Sequence, residues 1–323
     1  MKKYFFFLIC IILYTNISAQ MITKDTIVGF YHQPSGSPEG GTELIVYPNN
    51  RFVAVFFGGM INGKWKLKGN TVSFIPDYEP DYFILYGRKT MKLKEGIRVI
   101  FENFEEGNSK FVNFGFSPEN PVLNMQQVFN DDSNCFNYPY IYKDTRAIQI
   151  FRFATKQNYW DEASDYNVYT FDNSAKYNDF AVIYNPKSEE KKPFNATYIK
   201  GGLLFNSTDK VSAKKDLSKL DEEENSYFEK LATLKIIDEV RYYNKDYFSV
   251  DTSADLKIDY YQYDKINDLY FSPNLEKAKD SMDFDYSEPR NSELLPYKRI
   301  TELNILKQVI KINSTPLFIA KCD

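Results

Sequence analysis

The chain has 323 residues, 43% of them hydrophobic and 26% charged, a globular composition with enough apolar area for one large core or two. Its formal charge is −4 without a basic cluster, so it carries no electrostatic footprint for nucleic acid. Nor does it show the polybasic or amphipathic basic face of a membrane-surface binder, and charge sets both partner classes aside.

At the start, Lys2 and Lys3 precede an apolar run over residues 4–14, then polar Thr15-Asn16-Ile17-Ser18 and small Ala19 before Gln20. Basic, apolar, then short and polar is the order of a secretory signal, so residues 1–19 are expected to be removed between Ala19 and Gln20. The apolar run is about half of the ~20 residues needed to cross a bilayer, which leaves no stable membrane span. The expectation is an exported protein, periplasmic or extracellular. Cys10 falls inside the leader and lacks the preceding small residue that lipid anchoring requires. Cys135 and Cys322 remain, and an oxidising compartment favours a bridge tying the C-terminus to mid-chain. Two buried thiols are the alternative, and so long a spacing does not choose between them.

Twelve of the 14 glycines lie between Gly29 and Gly115, and the other two are Gly201 and Gly202. Glycine supplies the positive φ of tight turns, so residues 21–118 read as short strands joined by hairpins. Residues 27–31, 44–47 and 52–57 are apolar runs, the last two joined by turn-forming Pro48-Asn49-Asn50-Arg51. Residues 64–68 alternate, placing Trp65 and Leu67 on one face and Lys64, Lys66 and Lys68 on the other. Gly69-Asn70 is a hairpin signal, with Val72 and Phe74 on the returning strand. Residues 82–86, 97–101 and 111–116 complete about eight strands, the count of a small β-sandwich or closed barrel. The Phe and Tyr excess, 27 and 26 residues, suits a pleated surface, although gene base composition explains it equally well.

Three features of this stretch resemble bacterial lipocalin-like domains: Gly29-Phe30-Tyr31, Pro48-Asn49-Asn50-Arg51-Phe52 before a strand, and Gly63-Lys64-Trp65-Lys66-Leu67. The likeness covers residues 22–116. It implies a cup for a small apolar ligand, lined by inward-facing side chains.

Residues 121–323 read as a second β-rich unit carrying one helix. Strand-like runs fall at 147–154, 167–171, 180–184 and 198–205, separated by polar loops. Over 214–243, Leu217, Leu220, Phe228, Leu231, Leu234, Ile237 and Val240 form one apolar stripe at helical spacing. Packing of that face on a core is the default, and a partner-binding helix the alternative. Residues 244–295 are loop-rich. Residues 300–312 and 317–320, about the turn Asn313-Ser314-Thr315-Pro316, read as a strand pair.

Chemistry is sparse. His32 is the single histidine and sits beside an apparent loop, so a solvated histidine outweighs a catalytic base, and no nucleophile motif accompanies it. Cys135, Cys322 and His32 lack zinc spacing. Asp77, Glu79 and Asp81 alternate between prolines without the glycine and terminal glutamate of a calcium loop, so a solvated turn is the plainer reading. Asp131-Asp132 and Asp264 with Asp268 are similar, and Glu222-Glu223-Glu224 is a charged helix face. Tyr159-Trp160, Tyr242-Tyr243, and Tyr260-Tyr261 with Tyr263 could stack on sugar rings, although packing is their commoner use. No catalytic, cofactor-binding or metal residue is nominated. The expected function is that of an exported binding or envelope protein, whose ligand is an apolar small molecule, a saccharide or another envelope protein. The alternatives are a carboxylate-dependent polysaccharide hydrolase and a structural or assembly protein of the envelope.

Overall fold

The structure is a computed structural model, and it describes residues 22–34, 40–78, 81–105, 110–115, 123–155, 165–185, 191–206, 208–234, 237–250, 258, 261–272 and 292–322. The chain is mainly β. In order, a helical turn α1 (Lys24–Ile27) precedes β1 (Gly29–Gln33), β2 (Thr42–Val46), β3 (Arg51–Phe56), β4 (Gly59–Lys68) and β5 (Thr71–Pro76). Next come β6 (Phe83–Arg88), β7 (Ile97–Glu102), β8 (Lys110–Gly115), β9 (Leu123–Gln127), β10 (Tyr140–Asp144), β11 (Ile150–Thr155), β12 (Asp165–Asp172) and β13 (Asp179–Tyr184). They are followed by β14 (Phe194–Ile199), β15 (Gly202–Phe205), β16 (Val211–Lys215) and helix α2 (Glu222–Thr233). The chain ends with β17 (Val240–Asn244), β18 (Ser249–Val250), β19 (Gln262–Asp264), β20 (Leu269–Phe271), β21 (Glu293–Ile300) and β22 (Leu303–Asn313).

Contacts divide the chain into Met1–Tyr78 with Glu190–Ile236, and Glu79–Glu189 with Ile237–Asp323. The glycine-rich stretch is therefore shared between two units rather than ending one near residues 118–121. β6, β7 and β8, expected beside the first five strands, pair instead with β13 and β21, with β10 and β13, and with β9 and β11. The reason is visible in burial. β5 alternates buried and half-buried positions, whereas all six residues of β6 are buried, as a strand covered on both faces requires.

In the first unit β1 to β5 run as an antiparallel meander, and β14, β15 and β16 continue it until β16 pairs with β1. The result is a closed eight-stranded up-and-down barrel. The β4–β5 hairpin forms as its alternation predicts, with Gly69 at φ +63° in the turn and Trp65 opposite Phe74. The single run expected over 198–205 is two strands, β14 and β15, folded about Lys200 and Gly201, both at positive φ.

The helix is shorter than its stripe suggested, and it belongs to the barrel unit. Residues 211–215 are spent closing the barrel, and Val240 already begins β17. Asp221 starts α2 by accepting the Glu224 N–H at 2.7 Å, and Glu222, Glu223 and Glu224 place negative charge at the positive end of the helix dipole. Ala232 is fully buried and Phe228 and Leu231 half-buried against Phe30, Ile45 and Val53 on the outside of the barrel, with Leu217 and Leu220 in the same cluster. The unpaired C-terminal carbonyls find barrel side chains. Asn62 Nδ2 donates to Leu231 O at 3.0 Å and Leu234 O at 2.8 Å, and Arg51 Nε donates to Ala232 O at 2.7 Å.

The second unit combines two sheets. A nine-stranded sheet has the order β10-β7-β13-β6-β21-β17-β18, with β19 and β20 attached through β21. A five-stranded closed barrel has the order β11-β12-β22-β9-β8. Alternate residues of the large sheet (Phe83, Leu85, Val99, Phe101) pack with Phe151, Phe153, Tyr169 and Phe171 of the small barrel. Those between them (Ile84, Tyr86, Ile100, Ile183) form a separate cluster with Tyr243, Leu295 and Tyr297. Ile100 on β7 and Tyr243 on β17 share that cluster although three strands lie between them in sheet order. The sheet is therefore strongly curled, as accumulated strand twist allows.

Residues 317–320 do not turn back on β22, whose two edges are already taken by β12 and β9. They run along residues 127–129, with Leu317 N–H donating to Gln127 O at 2.8 Å and Phe318 N–H to Val128 O at 2.9 Å. Cys322 N–H then donates to Asn134 Oδ1 at 2.9 Å, and Cys135 and Cys322 lie at disulfide distance with Cα atoms 5.0 Å apart.

Candidate functional site

The barrel is filled at one end and hollow at the other. Ile27, Val46, Trp65, Val72 and Leu203 are buried together in its interior, and the Trp65 indole N–H donates to Tyr47 O at 2.9 Å. The Tyr31 hydroxyl donates to Ile27 O, linking β1 to α1. Phe74 stacks on Phe194 with ring centres 4.9 Å apart, and Phe52 meets Phe74 edge-on at 5.1 Å. A cavity of about 420 Å³ is walled by Tyr31, Leu44, Ala54, Phe56, Ile61, Phe194 and Phe205.

These residues lie between the middle and the end of β1, β3 and β15 and between the start and the middle of β2, β4 and β14, so they share one end of the barrel. Gln33, Thr42, Asn195 and Asn206 supply neutral polar groups, and among the described residues no charged side chain lines the cavity. Burial pushes the Tyr31 hydroxyl pKa well above its ordinary value, so it stays a protonated donor. Such a surface can dehydrate an apolar, uncharged molecule and orient it through a few neutral hydrogen bonds.

The residues singled out from sequence are scattered. His32 is a member of β1 rather than of a following loop. Its side chain is exposed between the cavity residues Tyr31 and Gln33, as strand alternation demands. Asp77 is held by Arg51, and Glu79 lies outside the described residues. Asp131 accepts from Gln127, Asp264 accepts the N–H groups of Ile266 and Asn267 in a turn, and Asp268 pairs with Arg88 and accepts from Tyr263. Tyr243 and Tyr261 are buried, while Tyr263 is half exposed and lies against Tyr270. Ala19, Gln20, Tyr159, Trp160 and Tyr260 lie outside the described residues. Among the described residues no group of three His, Cys, Asp or Glu side chains could hold a metal, and no helix is long and apolar enough to cross a membrane.

The cavity residues of β14 and β15 escaped the sequence reading because they lie more than a hundred residues beyond β5. The available signal was Gly201-Gly202, a hairpin turn in the style of the first part stranded in the second. Comparison with known protein families, with curated proteins and with solved structures finds no match.

Proposed function

We propose that the first unit is a non-enzymatic binding barrel for an apolar, uncharged small molecule, and that the protein works outside the cytoplasm. The observation that carries this reading is the hollow end of the barrel, about 420 Å³ of cavity walled by apolar and aromatic side chains. That volume is within the range of small-molecule sites, ~300–1,000 Å³. An eight-stranded up-and-down barrel is also the architecture lipocalins use to hold one small ligand, which supports a lipocalin-like reading. The secretory pattern of residues 1–19 and a cysteine pair at disulfide distance favour the periplasm or the extracellular space.

The test is equilibrium titration of the chain with neutral, apolar N-phenyl-1-naphthylamine, read by its fluorescence. Saturable enhancement is expected, together with its loss in Ala54→Phe and Leu44→Trp, which fill the cavity from two sides, at unchanged far-UV circular dichroism. No saturable signal from the parent chain, or undiminished binding in both folded variants, would overturn the reading.

A further inference from the structure

The curl of the nine-stranded sheet brings together side chains that its strand order keeps apart. Glu102, the last residue of β7, forms an ion pair with Arg241 and accepts the Tyr243 hydroxyl at 2.6 Å, both partners on β17. Arg98, also on β7, donates to the hydroxyl of Tyr247 and to Asp179, and its guanidinium carbon lies 4.0 Å over the Tyr247 ring. Beside this seam is a second cavity of about 210 Å³, lined by aromatic Tyr138, Tyr243, Tyr247 and Phe248 and by the carboxylates of Glu102 and Glu105. Tyr138 and Phe248 are 41% and 37% exposed, so the cleft communicates with solvent.

The two carboxylates differ. Glu102 is neutralised by Arg241. Glu105 faces no Lys or Arg in an ion pair among the described residues, and its buried Oε2 accepts no hydrogen bond. The Tyr138 hydroxyl donates to the Glu105 carboxylate, which after burial is the next cause of that tyrosine's raised pKa, and Oε2 remains the oxygen without a donor. A buried carboxylate oxygen without a donor costs stability, and a bound group with N–H donors and positive charge removes the cost.

We infer that this cleft binds a small organic cation, an alkylammonium or guanidinium group, with Glu105 as its counter-ion and the aromatic rings as its walls. Aromatic faces attract cations, and the chain already makes that contact beside the cleft, where Arg98 lies over Tyr247. An anion would meet the Glu105 carboxylate, which no Lys or Arg pairs among the described residues. A neutral hydroxyl would satisfy the hydrogen bond but leave the Glu105 charge uncompensated. The site is distinct in residues and in ligand charge from the barrel cavity.

The experiment is calorimetric titration of the full chain with n-butylammonium, with n-butanol and methyl glucoside as uncharged probes at constant ionic strength. Butylammonium should bind saturably and more tightly than either uncharged probe, by on the order of tenfold. Glu105→Gln should weaken it by a similar factor, and Tyr138→Ala, at a partly exposed position, by about threefold. Ala54→Phe in the barrel should leave it unchanged. Nα-acetyl-lysine methylamide distinguishes the source: tighter binding than butylammonium assigns the site to a lysine side chain, equal binding to a free amine. No butylammonium binding, equal binding of the uncharged probes, or undiminished binding in both Glu105→Gln and Tyr138→Ala overturns the inference.

Discussion

Removing the Glu102 side chain tests whether the curled sheet is latched by this residue. In Glu102→Ala the Tyr243 hydroxyl, on a side chain 1% exposed, loses its acceptor. A buried donor left unpaired costs about 1–3 kcal/mol. Arg241 loses its ion pair, but it is 31% exposed and can recover water, so solvent screening limits that loss to about 1 kcal/mol. The expected total is about 2–4 kcal/mol, equivalent to a fall of about 1–2 M in the urea midpoint. The assay is urea unfolding followed by near-UV circular dichroism, to which the tyrosines of the second unit contribute strongly. Tyr243→Phe removes the stranded hydroxyl, so the double variant should recover about 1–2 kcal/mol relative to the sum of the single changes. A Glu102→Ala midpoint unchanged from the parent, or strict additivity with Tyr243→Phe, would refute the latch.

Two further outcomes concern a carboxylate at the end of β10 and the cysteine pair. The Arg146 guanidinium, with the Tyr142 hydroxyl, holds the Asp144 carboxyl well below the usual carboxylate range. Its stabilising effect is therefore present above the unfolded pKa of ~4 and is lost as pH falls from there toward the folded value. Asp144→Asn should flatten the decline of melting temperature between about pH 4 and pH 2, and an unaltered slope would contradict this linkage. The Cys135–Cys322 pair predicts that alkylation of the chain lacking residues 1–19, denatured without reductant, finds no free thiol. Two reactive thiols would remove the bridge.

Local pattern was legible wherever one short segment decided the outcome. The alternation of Trp65 and Leu67 with three lysines, closed by Gly69-Asn70, reads directly as the β4–β5 hairpin. The spacing of Phe228 and Leu231 gives the buried side of α2, and Leu217 and Leu220 join the same cluster. Its ends were misread because Lys214 and Lys215 are claimed by strand β16, and Val240, apolar at compatible spacing, by β17; tertiary pairing overrides helical periodicity there. The partners of β5 and β6 were not legible at all. Nothing within residues 71–88 says that Phe74 will face Phe194 while Ile84 faces Ile183, because register between distant strands is set by the assembled core. The barrel cavity depends on that long-range pairing and inherited its invisibility. The Glu102 and Glu105 cleft depends instead on the curl of a sheet.

Because β5 ends at Pro76 and its neighbour β14 starts at Phe194, the ring cannot be completed until well over a hundred intervening residues have been made. At ribosomal speeds of ~5–20 residues per second, that interval lasts about 6–24 s. Throughout it the nascent β1 and β5 would present bare, aggregation-prone borders. A fragment stopping after β8 would keep those borders permanently. Newly made chains would therefore depend on holding factors until the last three staves arrive.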